Sequence, residues 1–303
     1  MLTQFKTLTD LMIAFQDPQT AINHFKAIRW GDGIVCPYCD HPKAYELGEK
    51  NKYKCADCSR KFSVTVGTIF ENTKLPLRIW FGAIWLITNH PKGIASTTLA
   101  KDLGITQKSA WFVLHRLRHA ARTRSFNTPL TGKVEIDETY VGGKAINKHK
   151  SRSGTKGGSS DKTPVIGAVE RGGKVIAKVL PVANKATMHG FVKEVVSPEA
   201  EMLATDTHPV YQRLEGYPQH QMLNHQQGEF KRGDAHTNSM ESVWALLKRQ
   251  IVGTHHWVSP KHLEKYVQEM TWRLNHRSMT PADRMNALFE CVAGSMPYKV
   301  LIS

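Results

Sequence analysis

Acidic residues are scarce in this sequence, and long apolar runs, unpaired cysteines and internal repeats are scarcer still. Against 41 Lys and Arg stand only 26 Asp and Glu, a formal charge of +15 before any of the 15 His is counted. So large a basic surplus implies a polyanionic partner, with mere solubilisation of the surface as the plainer alternative. Anionic membrane is the competing polyanion, but no apolar run approaches the ~20 residues a spanning helix needs. The start MLTQFKTLTDLMIAF lacks the basic head and small-residue cleavage site of an export signal. The expectation is a cytoplasmic protein with no membrane partner. Four of the five cysteines form two close pairs and Cys291 stands by itself, which excludes a secreted disulfide framework and points to a reducing compartment and a metal. A serine or cysteine hydrolase has no support, because there is no Gly-x-Ser-x-Gly elbow and nothing near Cys291 that would activate it. No heptad pattern sets an oligomeric state. At 303 residues, 41% of them apolar, the chain has room for one sizeable core and smaller appendages, hence two or three domains.

What is present begins with metal chemistry. Cys36-Pro37-Tyr38-Cys39 and Cys55-Ala56-Asp57-Cys58 are separated by fifteen residues, enough for a hairpin. Each Cys-x-x-Cys turn can aim two thiolates at one cation, and two turns complete a tetrahedral sulfur cage suited to one structural zinc. Four protein ligands leave no open position for catalysis. Ahead of this ribbon, at 34–72, residues 1–33 read as a helical segment of two short helices broken at Asp17-Pro18. The strand-like run Lys61 to Thr65 follows the second knuckle.

Residues 73–124 carry a helix-turn-helix rhythm: a short helix over 94–103, a break at Gly104, and a second helix capped by Thr106 that turns Ala110, Val113, Leu114 and Leu117 inward. That second helix would expose Gln107, Lys108, Trp111, His115, Arg116 and Arg118, with Lys108 and Arg116 as phosphate contacts. A plain helical hairpin with a basic face is the alternative.

From residue 130 to 280 the pattern becomes strand, strand, strand, helix, strand, helix, strand, helix, the order of an α/β, RNase H-like mixed sheet with flanking helices. A Lys-, Gly- and Ser-rich stretch at 144–162 reads as a basic mobile loop inside it, and 281–303 as a C-terminal tail. Asp137 lies in the first strand, Asp206 at the carboxyl edge of a central strand, and Glu241, separated from it by thirty-four residues, opens a helix. Side chains alternate along a strand, so only one of Asp137 and Glu138 joins such a site, and Asp137 is the choice. Three converging carboxylates repel unless cations neutralise them, and hard oxygen donors select two Mg²⁺ or Mn²⁺ ions, the apparatus of in-line phosphoryl transfer. Asn238 and Lys248 share the helical face of Glu241, so Lys248 can hold a phosphate with help from Arg249. His225, Asp234 and His236 are possible auxiliaries, and any one acid taken alone could be an ordinary surface group.

The runs Trp30 to Cys39, Val134 to Gly143 and His236 to Arg249, with Phe62 to Phe70 and His262 to Arg277, resemble bacterial insertion-sequence DDE transposases of the ISXO-like branch, relatives of the Merlin elements. The resemblance spans nearly the whole chain. It implies cleavage at the ends of a mobile element and joining of the freed 3′-OH ends to target DNA, with terminal inverted repeats and target DNA as partners. It also implies a homodimer or higher assembly on DNA, and nucleoid association in a bacterial cell. Asp137 and Asp206 match the first two acid positions; the third is Asn or Glu in this branch, so Glu241 and Asn238 both qualify. Charge favours Glu241. The rival functions are a non-catalytic zinc-ribbon and helix-turn-helix DNA-binding protein and a stand-alone RNase H-like nuclease.

Overall fold

The computed structural model describes residues 5–48, 51–122, 128–143, 162–297 and 300–301. Nearly all of the basic loop expected at 144–162 lies outside the described residues. The chain divides into two compact units, 1–121 together with 276–303, and 122–275. No helix among the described residues is long and apolar enough to cross a membrane.

In the first unit, Thr7 caps α1 (Leu8–Ala14) through a reciprocal box with Asp10. Pro18 occupies the first position of α2 (Pro18–Trp30), where a missing N–H has no helical partner to lose, so the Asp17-Pro18 break falls where expected. A three-stranded antiparallel ribbon follows, β1 (Ala44–Glu46), β2 (Tyr53–Cys55) and β3 (Lys61–Phe62), paired in that order. The last strand is shorter than the expected 61–65. After Phe62 the Val66 amide donates back to Ser63 and the Ser63 and Thr65 hydroxyls bond at 2.9 Å, which curls the chain away from the ribbon.

Helix α3 (Leu77–Asn89) is buried on nearly every side and forms the axis of the unit. The helix-turn-helix pair is α4 (Ser96–Leu103) and α5 (Gln107–Ala120). Gly104 closes α4 in the left-handed region, φ 63°, and the Thr106 hydroxyl accepts from the Ser109 amide to open α5. Residues 281–303, expected as a tail, are instead part of this unit. They carry α9 (Pro281–Glu290), whose Met285, Leu288 and Phe289 are buried. The Phe289 ring lies 4.7 Å from that of Phe81, and Val292 accepts from the Ile69 amide at 3.0 Å. A sequence that ends in a short amphipathic helix gives no local sign of the distant aromatic cluster that will receive it.

The second unit is a five-stranded mixed sheet in the order β6-β5-β4-β7-β8. Strands β4 (Lys133–Val141), β5 (Thr163–Glu170) and β6 (Val175–Val179) form an antiparallel meander, while β7 (Met202–Asp206) and β8 (His220–Leu223) add in parallel on the other side of β4. This is the RNase H-like arrangement. Alternation sorts β4 cleanly: Val134 and Ile136 face a core shared with α6 (Lys185–Val195), and Glu135 and Asp137 face the side of α7 (Asn238–Arg249). Helix α8 (Pro260–Asn275) packs on that second side as well. Its Glu264 accepts from the Val179 amide at 2.7 Å and its Asn275 side chain bonds both backbone groups of Val175, which covers the open edge of β6. Between β7 and β8, where the expected element order had a helix, there is only a 3-10 turn, Pro209–Tyr211.

Candidate active site and metal centre

The four paired cysteines converge. Their sulfurs all lie within 4.8 Å of one another, with Cys36 to Cys58 at 3.7 Å and Cys39 to Cys55 at 3.6 Å. Tetrahedral Zn–S bonds of about 2.3 Å would set sulfurs about 3.8 Å apart, so the donor set fits one zinc. Each knuckle turns a backbone amide onto its first sulfur, Tyr38 onto Cys36 at 3.5 Å and Asp57 onto Cys55 at 3.3 Å, the local bonds that favour a thiolate. Burial opposes ionisation of Cys55, yet the amides of Asp57 and Cys58 bring it down to about 7. At Cys39 an amide of His41 pulls down, but burial and the neighbouring thiols prevail and the group rises to about 12. Four thiols this close cannot all ionise without a cation among them.

The acids are assembled differently. Parallel pairing of β4 with β7 runs Lys133 to Met202, Val134 to Leu203 and Glu135 to Ala204. Continued by two residues, that register sets Asp137 abreast of Asp206, each just beyond the last paired residues and on the α7 side of the sheet. Asp137 is pushed up to about 7, first by burial, then by the charge of Glu138, and further by Asp206 and Glu241. Asp137 therefore feels all three of its acidic neighbours. They do not close as the cysteines do: among the described residues, only the cysteines form a group of three or more donors mutually within 4.8 Å. The Asp206 carboxylate accepts from the His208 amide at 3.0 Å. Glu241 is exposed in the first turn of α7, 4.0 Å from Nδ1 of His225.

Gly167 faces Asp137 across the β4–β5 ladder. A Cβ there would lie 2.5 Å from the Met240 terminal methyl carbon and 2.8 Å from the Trp244 ring, so its absence is what lets α7 seat closely on the sheet beside Asp137. Asn238, Glu241, Lys248 and Arg249 are all exposed along α7, as the expected single face requires for the first three.

Glu138 keeps to the alternation of β4 on which the choice of Asp137 was based. It lies on the opposite face, where the Tyr211 hydroxyl donates to it at 2.7 Å, yet its charge reaches Asp137. Burial raises Glu138 while Tyr211 lowers it, and Tyr211 itself is held well above its ordinary value by burial and by Glu138.

Sequence reading also missed Glu135, which is 0% exposed. Its Oε2 accepts from the amides of Ser239 at 2.8 Å and Met240 at 3.1 Å; its Oε1 accepts from the Ser239 hydroxyl at 2.9 Å and Arg171 Nε at 2.7 Å, with His236 Nδ1 at 3.0 Å. Arg171 reaches on to the carbonyls of Asp234 and His236, and Asp234 pairs with Lys133 at 2.8 Å. The signal was available: a Glu two residues before Asp137 on the same strand face. Of the three auxiliaries named from sequence, His225 neighbours Glu241, whereas Asp234 and His236 belong to this anchoring network.

In the first unit Lys108 is exposed at the start of α5. Arg116, expected to contact phosphate, is instead half-buried and donates to the carbonyls of Ile69 and Glu71 at 2.9 and 3.2 Å. His115 and Arg118, expected outward, are buried at 0% and 1% exposure. The helix packs over a wider arc than its four aliphatic residues suggest.

The family model of the ISXO2-like transposase domain matches residues 129–275, and that of the transposase zinc-ribbon domain matches 17–61. An uncharacterized protein in transposable element ISH50 of Halobacterium salinarum is 29% identical over 276 residues, 86% of this chain and 91% of its own length. A crystal structure of a pre-cleavage Mos1 transpososome aligns over 97% of this chain and 100% of that one at 11% identity, but with a TM-score of 0.26, too low to carry an argument.

Proposed function

We propose that the chain, whose catalytic and zinc-ribbon regions match the ISXO2-like transposase and transposase zinc-ribbon domain models, is an insertion-sequence DDE transposase that cuts the ends of its element and joins the freed 3′-OH ends to target DNA at a site made by Asp137, Asp206 and Glu241. The observation that carries the assignment is the abreast position of Asp137, midway along β4, and Asp206, at the end of its parallel neighbour β7, with Asp137 pushed up to about 7 by burial and its acidic neighbours. A carboxyl group in that condition is poised to exchange its proton for a hard cation. Two Mg²⁺ or Mn²⁺ ions held there would supply activation of the attacking water or 3′-hydroxyl and stabilisation of the leaving oxygen. Glu241 is preferred to Asn238 as the third ligand because its charge is already felt at Asp137, while Asn238 in the same turn is the alternate.

The remaining roles are binding and positioning. Lys248 and Arg249, exposed in the last turn of α7, hold backbone phosphates near the acids, and Lys108 meets DNA from the helix-turn-helix. The zinc ribbon binds one structural zinc through Cys36, Cys39, Cys55 and Cys58. Terminal inverted repeats and target DNA are the partners, and bringing two ends together calls for a homodimer or larger assembly at the nucleoid. The test is incubation of full-length protein with labelled element ends, Mg²⁺ and a plasmid target. Cut ends joined to plasmid are expected, and Asp206→Asn should give neither. Nicks without joined products would favour a nuclease, and wild-type activity in Asp206→Asn would remove the site assignment.

A further inference from the structure

Helix α7 has no cap of its own. Thr237, at its N-cap position, makes no side-chain hydrogen bond to the first turn. An N-cap side chain ordinarily accepts from the second and third amides of a helix, and here those amides, Ser239 and Met240, are taken by Glu135, 104 and 105 residues earlier in the chain. The cap is thus provided by the strand that carries Asp137, to the helix that carries Glu241.

A fully buried carboxylate is tolerated only when its charge is met, and a carboxylate used merely for capping would sit more cheaply at the exposed helix end. Glu135 is met by the positive end of α7 with its Ser239 hydroxyl, by the Arg171 guanidinium from the β5–β6 turn, and by His236, whose Nδ1 lies 3.0 Å away. Arg171 then fixes the carbonyls of Asp234 and His236, the residues leading into α7. Asp137 is two residues from this clamp on one side and Glu241 one residue from Met240 on the other.

We propose that Glu135, with Arg171, is a positioning residue for the catalytic acids: it locks the first turn of α7 onto β4 so that Glu241 and Asp137 keep the separation that cation binding requires. The proposal rests on the assignment of Asp137, Asp206 and Glu241 made above. Rigid support of this kind matters because mutating groups that orient metal ligands typically costs about 10–100-fold in metal affinity or activity without touching the ligands.

The experiment compares full-length wild type, Glu135→Gln, Ser239→Ala and Asp137→Asn for cleavage of a labelled element end across a Mg²⁺ titration. End binding, zinc content and thermal unfolding are read in parallel. Glu135→Gln keeps the shape but turns an amide NH₂ toward donors; the expected result is a cleavage rate lower by about tenfold or more and a Mg²⁺ half-activation point higher by a similar factor. End binding should stay within about twofold. Ser239→Ala removes one hydroxyl donor and no charge, so it stays folded, and its half-activation point should rise by about threefold. A folded Glu135→Gln with the Mg²⁺ response of wild type overturns the proposal. If Glu135→Gln does not fold, an unshifted response in Ser239→Ala overturns it. Cleavage by Asp137→Asn at the wild-type rate would instead sink the site assignment, an outcome separate from failure of the clamp.

Discussion

The cysteine cage and the proposed acid site would solve one problem, holding several like groups around positive charge, in opposite ways. The cage is local: two Cys-x-x-Cys turns and a short hairpin bring four sulfurs within 4.8 Å of one another, and each knuckle carries its own amide-to-sulfur bond. The acid site is remote: Asp137 and Asp206 come from parallel neighbours in a sheet, Glu241 from a helix pinned by Glu135, and the carboxylates remain farther apart than the thiols. Soft sulfurs in a closed tetrahedron suit a permanent ion that folds the ribbon. Hard oxygens held apart suit ions that arrive with a phosphate and leave again.

The contrast can be broken most forcefully at the cage. Cys36→Ser, or a strong chelator, should unfold the ribbon, because structural zinc contributes about 10 kcal/mol or more to small zinc domains. Hydrogen exchange should show protection lost across 34–62 while the β4–β5 ladder is unaffected; protection retained in the ribbon would mean that the sulfurs do not depend on metal. Next in size is Asp137→Asn, expected to slow cleavage on the order of a thousandfold at unchanged affinity for element ends. Gel-shift and cleavage assays on the same preparation decide it.

That same variant sharpens the comparison through pH. Asp137 holds its proton to about 7 in the folded state, well above its ordinary 3.8, so the folded protein binds more protons than the unfolded chain between those values. In metal-free buffer, stability therefore falls as pH rises from about 4 to about 7 and stays reduced above it. Asp137→Asn should flatten this slope and melt higher than wild type at pH 8, and Mg²⁺ should raise wild type but not the variant. A wild-type melting temperature that climbs through that window would contradict the shift. Smaller still, Gly167→Ala should cost about 1–3 kcal/mol by pushing on Met240 and Trp244, and should slow cleavage because α7 is displaced beside Asp137. Denaturant unfolding with cleavage kinetics tests both halves. The smallest effect belongs to Arg116→Gln. Since its guanidinium bonds the carbonyls of Ile69 and Glu71, the change should lower the stability of the first unit by about 1–2 kcal/mol and leave the salt dependence of DNA binding intact. A reduced salt slope would restore it as a phosphate contact.

Local rules account for what was legible in advance. Strand β4 spans the residues its alternation marks, Gly104 and Thr106 end and start their helices, and the paired cysteines meet because their spacing leaves them little choice. Errors gathered where distant segments meet. Arg116, His115 and Arg118 look outward on a helical wheel, but α5 packs on more than one side; residues 281–303 look like a tail until Phe289 finds Phe81. Glu135 was passed over because a Glu in a strand reads as an ordinary polar position when the donors that surround it lie far along the chain.

Residue chemistry and spacing alone settled that the chain carries a strong basic surplus and four cysteines placed to meet as a zinc-type cage, since the cage follows from neighbours within a few positions. Which acid faces which is a matter for the folded sheet. Parallel register put Asp137 beside Asp206, the missing side chain of Gly167 let α7 approach, and a buried carboxylate tied that helix to β4. Such distances depend on hydrogen-bond registers and packing between segments a hundred residues apart, and no local pattern encodes them.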